Sequence, residues 1–200
     1  MRIVIDTSSL IALVRYYLPF DLNNNLFELV KKKIQNGEII IIDEVLTECE
    51  FQSNGVVLQK LEFLKDKDFK KQFKVPLKTV DLLPPAPAKF LRQVESQFII
   101  GVMKNKLEDY EFELEKERWL KSADAKLIIY CLNQIQEGTL ILDDVYIVTE
   151  ESRSQNDSKV FQKIPSICDI LNINVLSLPE LVDKMNDEIK IDFIKKTKNP

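Results

Sequence analysis

Residues 2–7 read Arg2-Ile3-Val4-Ile5-Asp6-Thr7. This short β-branched run, ending in an acid and a hydroxyl, constrains the fold more than any other stretch of the chain. A strand of Ile3, Val4 and Ile5 is expected to be buried on both faces, as in a parallel sheet. It then delivers Asp6 to the carboxyl end of that sheet, where open α/β folds bind their ligands. A carboxylate so close to a core is costly unless it is paired, hydrogen-bonded or on a metal. Other acids arriving at the same edge would therefore be informative.

Strand and helix signals alternate at both ends of the chain. Ser8 to Leu18 reads as a helix stopped by Pro19. Leu26, Leu29, Val30 and Ile34 repeat at helical spacing, with Gly37 suited to the position after the C-cap. Ile39 to Ile42 reads as a buried strand. Asp43 is then expected to cap a helix that carries Val45, Leu46 and Glu48. Ser122 is expected to cap a helix over 123–135 closed by Gly138. Val145 to Thr149 reads as a strand, Pro165 to Leu171 as a helix, Asn174 to Leu176 as a strand, and Pro179 to Met185 as a helix. This alternation predicts an α/β fold with a central, mainly parallel sheet flanked by helices.

Between Gln52 and Lys121 the strand signal fades. Leu58, Leu61 and Leu64 suggest one helix, Phe90, Leu91, Val94 and Phe98 a second, and Tyr110, Leu114 and Trp119 a third. Pro84-Pro85-Ala86-Pro87 separates the first two. The expected organisation is a single domain over 1–200 with a helical insertion or subdomain at 52–121. Its location beside the acidic edge of the sheet is also an expectation.

Composition narrows the chemistry. Histidine is absent, which excludes Ser-His and Cys-His triads, histidine bases and histidine-ligated zinc. Cys49, Cys131 and Cys168 form no CxxC pair and read as small buried residues in a reducing compartment. No P-loop or GxGxxG motif occurs. The chain carries no basic-then-apolar leader pattern and no apolar run of membrane-spanning length, so a cytoplasmic protein without membrane contact is expected. The net charge of −4 means that any nucleic-acid contact needs a local basic patch.

Acids at four places share a position at strand ends and helix starts: Asp6, Glu48, Asp124 and the Glu150-Glu151 pair. Gathered by parallel topology without basic partners, they would repel one another by several kcal/mol at the effective dielectric near a protein surface. A hard divalent cation relieves that repulsion, and an all-oxygen cup suits Mg²⁺. Such an ion activates water without a histidine. Each acid also has a plainer reading. Asp6 and Asp124 suit helix N-termini, Glu48 an amphipathic surface, and Glu150 and Glu151 a polar loop.

In order along the chain these residues resemble the PIN domain family, the nuclease fold of many ribonuclease toxins in type II toxin–antitoxin pairs. Ile3-Val4-Ile5-Asp6-Thr7-Ser8 is similar to the opening strand and Asp. Val45-Leu46-Thr47-Glu48 is similar to the second motif, and Ser122-Ala123-Asp124-Ala125 to the third. Val148-Thr149-Glu150-Glu151 is similar to the fourth, with Glu where Asp is usual. The resemblance spans roughly residues 1–51 and 120–182, and the middle is longer than in compact members. It implies a PIN-like three-layer fold and a metal-dependent endoribonuclease. Asp6, Glu48, Asp124 and Glu151 would hold Mg²⁺ or Mn²⁺. Thr7 and Thr149 would orient carboxylates or waters, and Glu150 and Asp143 are reserve acids. The implied partners are an RNA substrate, a protein antitoxin and a second copy in a homodimer. Two other classes stay open: an inactive PIN-like scaffold, and another Mg²⁺-dependent phosphoryl-transfer enzyme.

The segment from Lys60 to Lys78 holds seven lysines against three acids, with Phe63, Phe69 and Phe73 interleaved. It reads either as an RNA-backbone patch or as a solvated helix with inward phenylalanines. Lys31-Lys32-Lys33 reads as an exposed helix face. The acids from Glu108 to Glu117 read as the outer face of a helix, or as a partner for the lysine-rich segment.

Overall fold

The computed structural model describes residues 1–136, 145–153 and 159–185. Gly138, Asp143, the centre of the loop expected after Arg153 and the basic tail lie outside them. Strand β1 (Arg2–Ile5) is at the centre of a four-stranded sheet with β2 (Ile39–Ile40), β3 (Val145–Val148) and β4 (Asn174–Leu176). The order is β2-β1-β3-β4 and every pairing is parallel. Ile3 pairs with Ile39 on one side and with Tyr146 on the other. Ile3, Val4 and Ile5 are fully buried. At about 1.5–3 kcal/mol per side chain, this burial anchors the strand whose next residue is Asp6.

The chain leaves β1 towards β2 on one side and returns to β3 on the other. The crevice between the carboxyl ends of β1 and β3 is thus the switch point of a doubly wound sheet. Helices flank this sheet in a three-layer α/β architecture. They include α1 (Thr7–Ala12), α2 (Asn25–Gln35), α3 (Asp43–Phe51), α9 (Ala123–Gln136), α10 (Ile164–Leu171) and α11 (Leu178–Lys184). Helix α9 packs against β1 and β3, and α3 contacts both α1 and α9. Among the described residues no helix is long and apolar enough to cross a membrane.

Residues 52–121 are helical, as their periodicity predicts, but in shorter pieces. They form α4 (Val56–Lys60), α5 (Lys67–Phe73), α6 (Pro87–Ser96), α7 (Gly101–Lys104) and α8 (Asp109–Leu120), with 3₁₀ turns between them. The single helix expected through Leu58, Leu61 and Leu64 breaks at Leu61, which leaves helical angles (φ −102°, ψ 62°) while fully buried. Phe98 lies beyond the end of α6. It packs at 5.8 Å from Phe90 and 5.9 Å from Trp119, ring centre to ring centre. Trp119 in turn stacks on Phe161 at 5.0 Å. The insertion therefore shares its apolar core with the sheet layers.

Other local expectations are corrected. The strand expected over Ile39–Ile42 ends at Ile40, and Ile42 instead bridges Leu77 of the insertion. Asp43 is the first residue of α3 rather than its cap; Ile42 occupies the cap position. The Asp43 carboxylate instead accepts from the Thr79 backbone N–H (3.1 Å) and hydroxyl (2.7 Å). Lys33 is not on an exposed face: it is buried and paired with Glu38 at 2.8 Å. Of the acids on α8, Glu113 pairs with Lys116 and Glu115 with Arg118 on the same helix, not with the lysine-rich segment.

Candidate metal centre

Asp6 caps α1. It is 5% exposed, and its Oδ1 accepts from the Thr7 N–H at 2.7 Å. Its Oδ2 accepts from the Ser8 hydroxyl at 2.6 Å and the Thr149 hydroxyl at 2.9 Å. Thr149 follows β3 directly, so this bond joins the ends of the two central strands. The Thr7 hydroxyl turns the other way and donates to Glu48 Oε2 at 2.6 Å. Gln52, one turn further along the chain, reaches the same oxygen at 3.3 Å. Ser8 also accepts from the Glu150 N–H at 3.0 Å. Ser8 and Gln52 were not singled out from the sequence; the signal for Ser8 is its position two residues after a capping Asp.

The two acids after Thr149 part company. Glu150 Oε1 accepts at 2.6 Å from the N–H of Leu178, the first residue of α11, whose cap is Ser177 in a capping box with Glu180. Its charge acts on Tyr17, whose phenol is raised first by burial and then by this carboxylate. Glu151 Oε2 accepts from the Ile164 N–H at 3.0 Å, at the start of α10. Its charge acts on Asp124. Glu151, not Glu150, is thus the acid that faces the others.

Asp124 sits at the second position of α9, where a carboxylate is favoured by the helix N-terminus. No hydrogen bond reaches it among the described residues. Its carboxyl is pushed up from 3.8 to about 7, first by burial, then by Asp6 and Glu151; Lys159 opposes them and Glu48 adds to them. Glu48 is likewise raised by burial, with Thr7 opposing and Asp6 adding. The buried Cys49 thiol is pushed up to about 12 by burial, then by Glu48 and Asp6. Asp6, Glu48, Asp124 and Glu151 therefore share one electrostatic field.

They do not form a ready-made ion cage. Among the described residues, no three acid, cysteine or histidine side chains stand close enough to hold a metal ion as placed. The reason is visible in their hydrogen bonds, since Asp6, Glu48 and Glu151 each direct oxygens at protein donors. Glu48 and Glu151 do so through Oε2 only, which leaves each Oε1 without a donor among the described residues. The donor set is oxygen throughout, which suits a hard cation such as Mg²⁺ or Mn²⁺. Asp124, with neither oxygen committed, fits best.

Asp124 and Glu151 open onto a cleft of about 490 Å³ that the insertion also lines through Met103, Lys106 and Trp119. The insertion thus lies beside the acidic edge, as expected. Lys159 and Lys163 line the same cleft. A smaller cleft of about 380 Å³ is lined by Glu48 and Ser122, with Asp43, Thr47 and Lys78.

No curated protein and no solved structure matches this chain. A family described as a domain of unknown function (DUF4411) matches it over residues 3–189, nearly its whole length, and the chain belongs to that family.

Proposed function

We propose that this chain is a metal-dependent endoribonuclease of the PIN type. The observation that carries the reading is Asp124. A carboxylate without a hydrogen-bond donor, held at the switch point of a parallel sheet in the field of three other acids, calls for a cation. Asp6 and Asp124 would hold Mg²⁺ or Mn²⁺, joined by Glu48 and Glu151 through the oxygens that carry no protein donor. The bound ion would lower the pKa of a water and offset charge on a phosphodiester. Thr149 and Ser8 fix the Asp6 carboxylate, and Thr7 fixes Glu48, which is the orienting work expected around metal ligands. Lys159 opposes the acids and lines the cleft onto which Asp124 and Glu151 open, so it would offset charge on a bound phosphate.

The reading extends to the toxin of a toxin–antitoxin pair, with a protein antitoxin as partner. Induced expression should then arrest growth, and Asp124→Asn should relieve the arrest. The direct test is cleavage of single-stranded RNA by wild type and Asp6→Asn across a Mg²⁺ and Mn²⁺ titration. Cleavage should require the metal, stop with EDTA and be lost in the variant. Activity that survives chelation would reject the reading. An inactive scaffold is the second reading, favoured by the structural duties of Asp6, Glu48 and Glu151. Cleavage that depends on Asp124 separates the two.

A further inference from the structure

A second concavity, of about 760 Å³, lies between α3 and the segment from Lys67 to Lys78. One wall is α5, which presents Lys67, Lys70 and Lys71, followed by Lys74 at its C-cap. These positions follow i, i+3, i+4 and i+7 spacing and so form one helical face. The other face of α5 is settled by packing: Phe69 lies 4.9 Å from Phe63 and 4.8 Å from Phe73, ring centre to ring centre. The inward phenylalanines and the basic patch are therefore both present, on opposite faces of one helix.

The floor of this trough is tied down by backbone hydrogen bonds. The Leu77 N–H donates to the Ile41 carbonyl at 2.9 Å, and the Asp43 N–H donates to the Leu77 carbonyl at 3.0 Å. Lys78 stands beside them as a fifth lysine, against only Asp43 and Glu50 as acids in the lining. Lys78 approaches Asp43 at 3.9 Å; the other four lysines have no ion pair among the described residues. In a chain of net charge −4, such a cluster runs against the global field.

Two further observations give the trough direction and an occupant. Asp43, Thr47 and Lys78 line both the trough and the smaller cleft that contains Glu48. The trough therefore adjoins the cleft that holds Glu48, one member of the acid cluster. Phe51, eight residues after Asp43 on the same stripe of α3, is 76% exposed. A lysine-lined groove, with an exposed aromatic on the residue after its lining residue Glu50, matches how single strands are held, with phosphates on the cations and a base on the ring.

We propose that this trough binds the phosphate backbone of single-stranded RNA and feeds it past α3 to the acid cluster. The proposal rests on the nuclease reading for what happens at that cluster, but binding itself is independent of it. The test measures binding of a fluorescein-labelled oligouridine by anisotropy in EDTA, across a salt series. The proteins are the full-length wild type, K67Q/K70Q/K71Q/K74Q, Phe51→Ala and Asp124→Asn. Each lysine that meets a phosphate contributes about 0.7 to the slope of log affinity against log salt for a single strand. The lysine variant should bind at least about tenfold more weakly, with a slope smaller by about 3 if all four meet phosphates. Phe51→Ala should weaken binding severalfold with the slope unchanged, and it stands as the check should the lysine variant lose its fold. Asp124→Asn should not weaken binding.

Equal affinity and slope for wild type and the lysine variant would overturn the proposal. So would the absence of binding by wild type, or a polyglutamate peptide that displaces the RNA at equal charge concentration. Cleavage assayed in parallel with Mg²⁺ keeps the two readings apart. Lysine-dependent binding without any cleavage would support the trough and remove the nuclease. Asp124-dependent cleavage with lysine-independent binding would do the reverse.

Discussion

Replacing Asp124 with Asn should make the metal-free protein more stable while abolishing cleavage. The carboxyl is raised from 3.8 to about 7. Between those values the folded state holds more protons than the unfolded state, so stability falls as pH rises through the window. The stabilising effect of the protonated group is complete below about pH 4 and lost above about pH 7. At about 1.36 kcal/mol per pH unit, ionised Asp124 costs the fold up to about 4 kcal/mol. Against that, Asn gives up the attraction of a carboxylate for the α9 N-terminus, about 0.3–1 kcal/mol. Part of the remainder is offset in wild type by solvent reaching the half-buried group. A net gain of about 2 kcal/mol is expected at pH 8 in EDTA, equal to a rise of about 4–8 °C in Tm for a chain of this size. Urea or thermal denaturation at pH 4.5 and pH 8 reads this directly, and the difference should shrink towards zero at the lower pH. A variant no more stable than wild type at pH 8, or a gain independent of pH, would refute the shared acid field.

Other expectations follow from the same geometry. Mg²⁺ or Mn²⁺ should raise the Tm of wild type, by about 2.7 kcal/mol of stabilisation at a hundredfold excess over Kd, and leave Asp124→Asn unmoved; a scan with and without EDTA checks this. Glu151→Gln should reduce cleavage in part and respond to added metal. Glu150→Gln should leave cleavage intact and weaken only the bond to the Leu178 N–H at the start of α11, by about 1 kcal/mol in urea denaturation. Thr149→Val removes a buried hydrogen bond to Asp6 and should cost about 1–2 kcal/mol together with most of the activity. Phe98→Ala, at a fully buried ring shared by the insertion and the sheet layers, should cost about 3–5 kcal/mol. It should do so in one transition, and two separable transitions would contradict a shared core.

Much of the architecture was legible in the chain because it rests on local periodicity. The β-branched runs at Ile3–Ile5 and Val145–Val148, the 3.6-residue spacing of Leu26, Val30 and Ile34, and Gly37 at φ +70° are patterns of neighbours, and they mark elements wherever they occur. Alternation of such elements is enough to call for a parallel sheet, and with it the gathering of acids at one edge. What the acids do there depends on donors from elsewhere in the chain. Glu150 and Glu151 are adjacent, yet they turn to Leu178 and Ile164 and only one faces Asp124. Asp43 leaves its expected cap for Thr79 of the insertion, and Lys33 is drawn inward by Glu38. The lysines of α5 have helical spacing in the sequence. Only the docking of Leu77 beside Ile42 turns them into one wall of a trough that adjoins the Glu48 cleft. Period and capping are properties of a segment. The direction of a carboxylate and the concavity of a surface are properties of segments brought together, and these the tertiary structure alone decided.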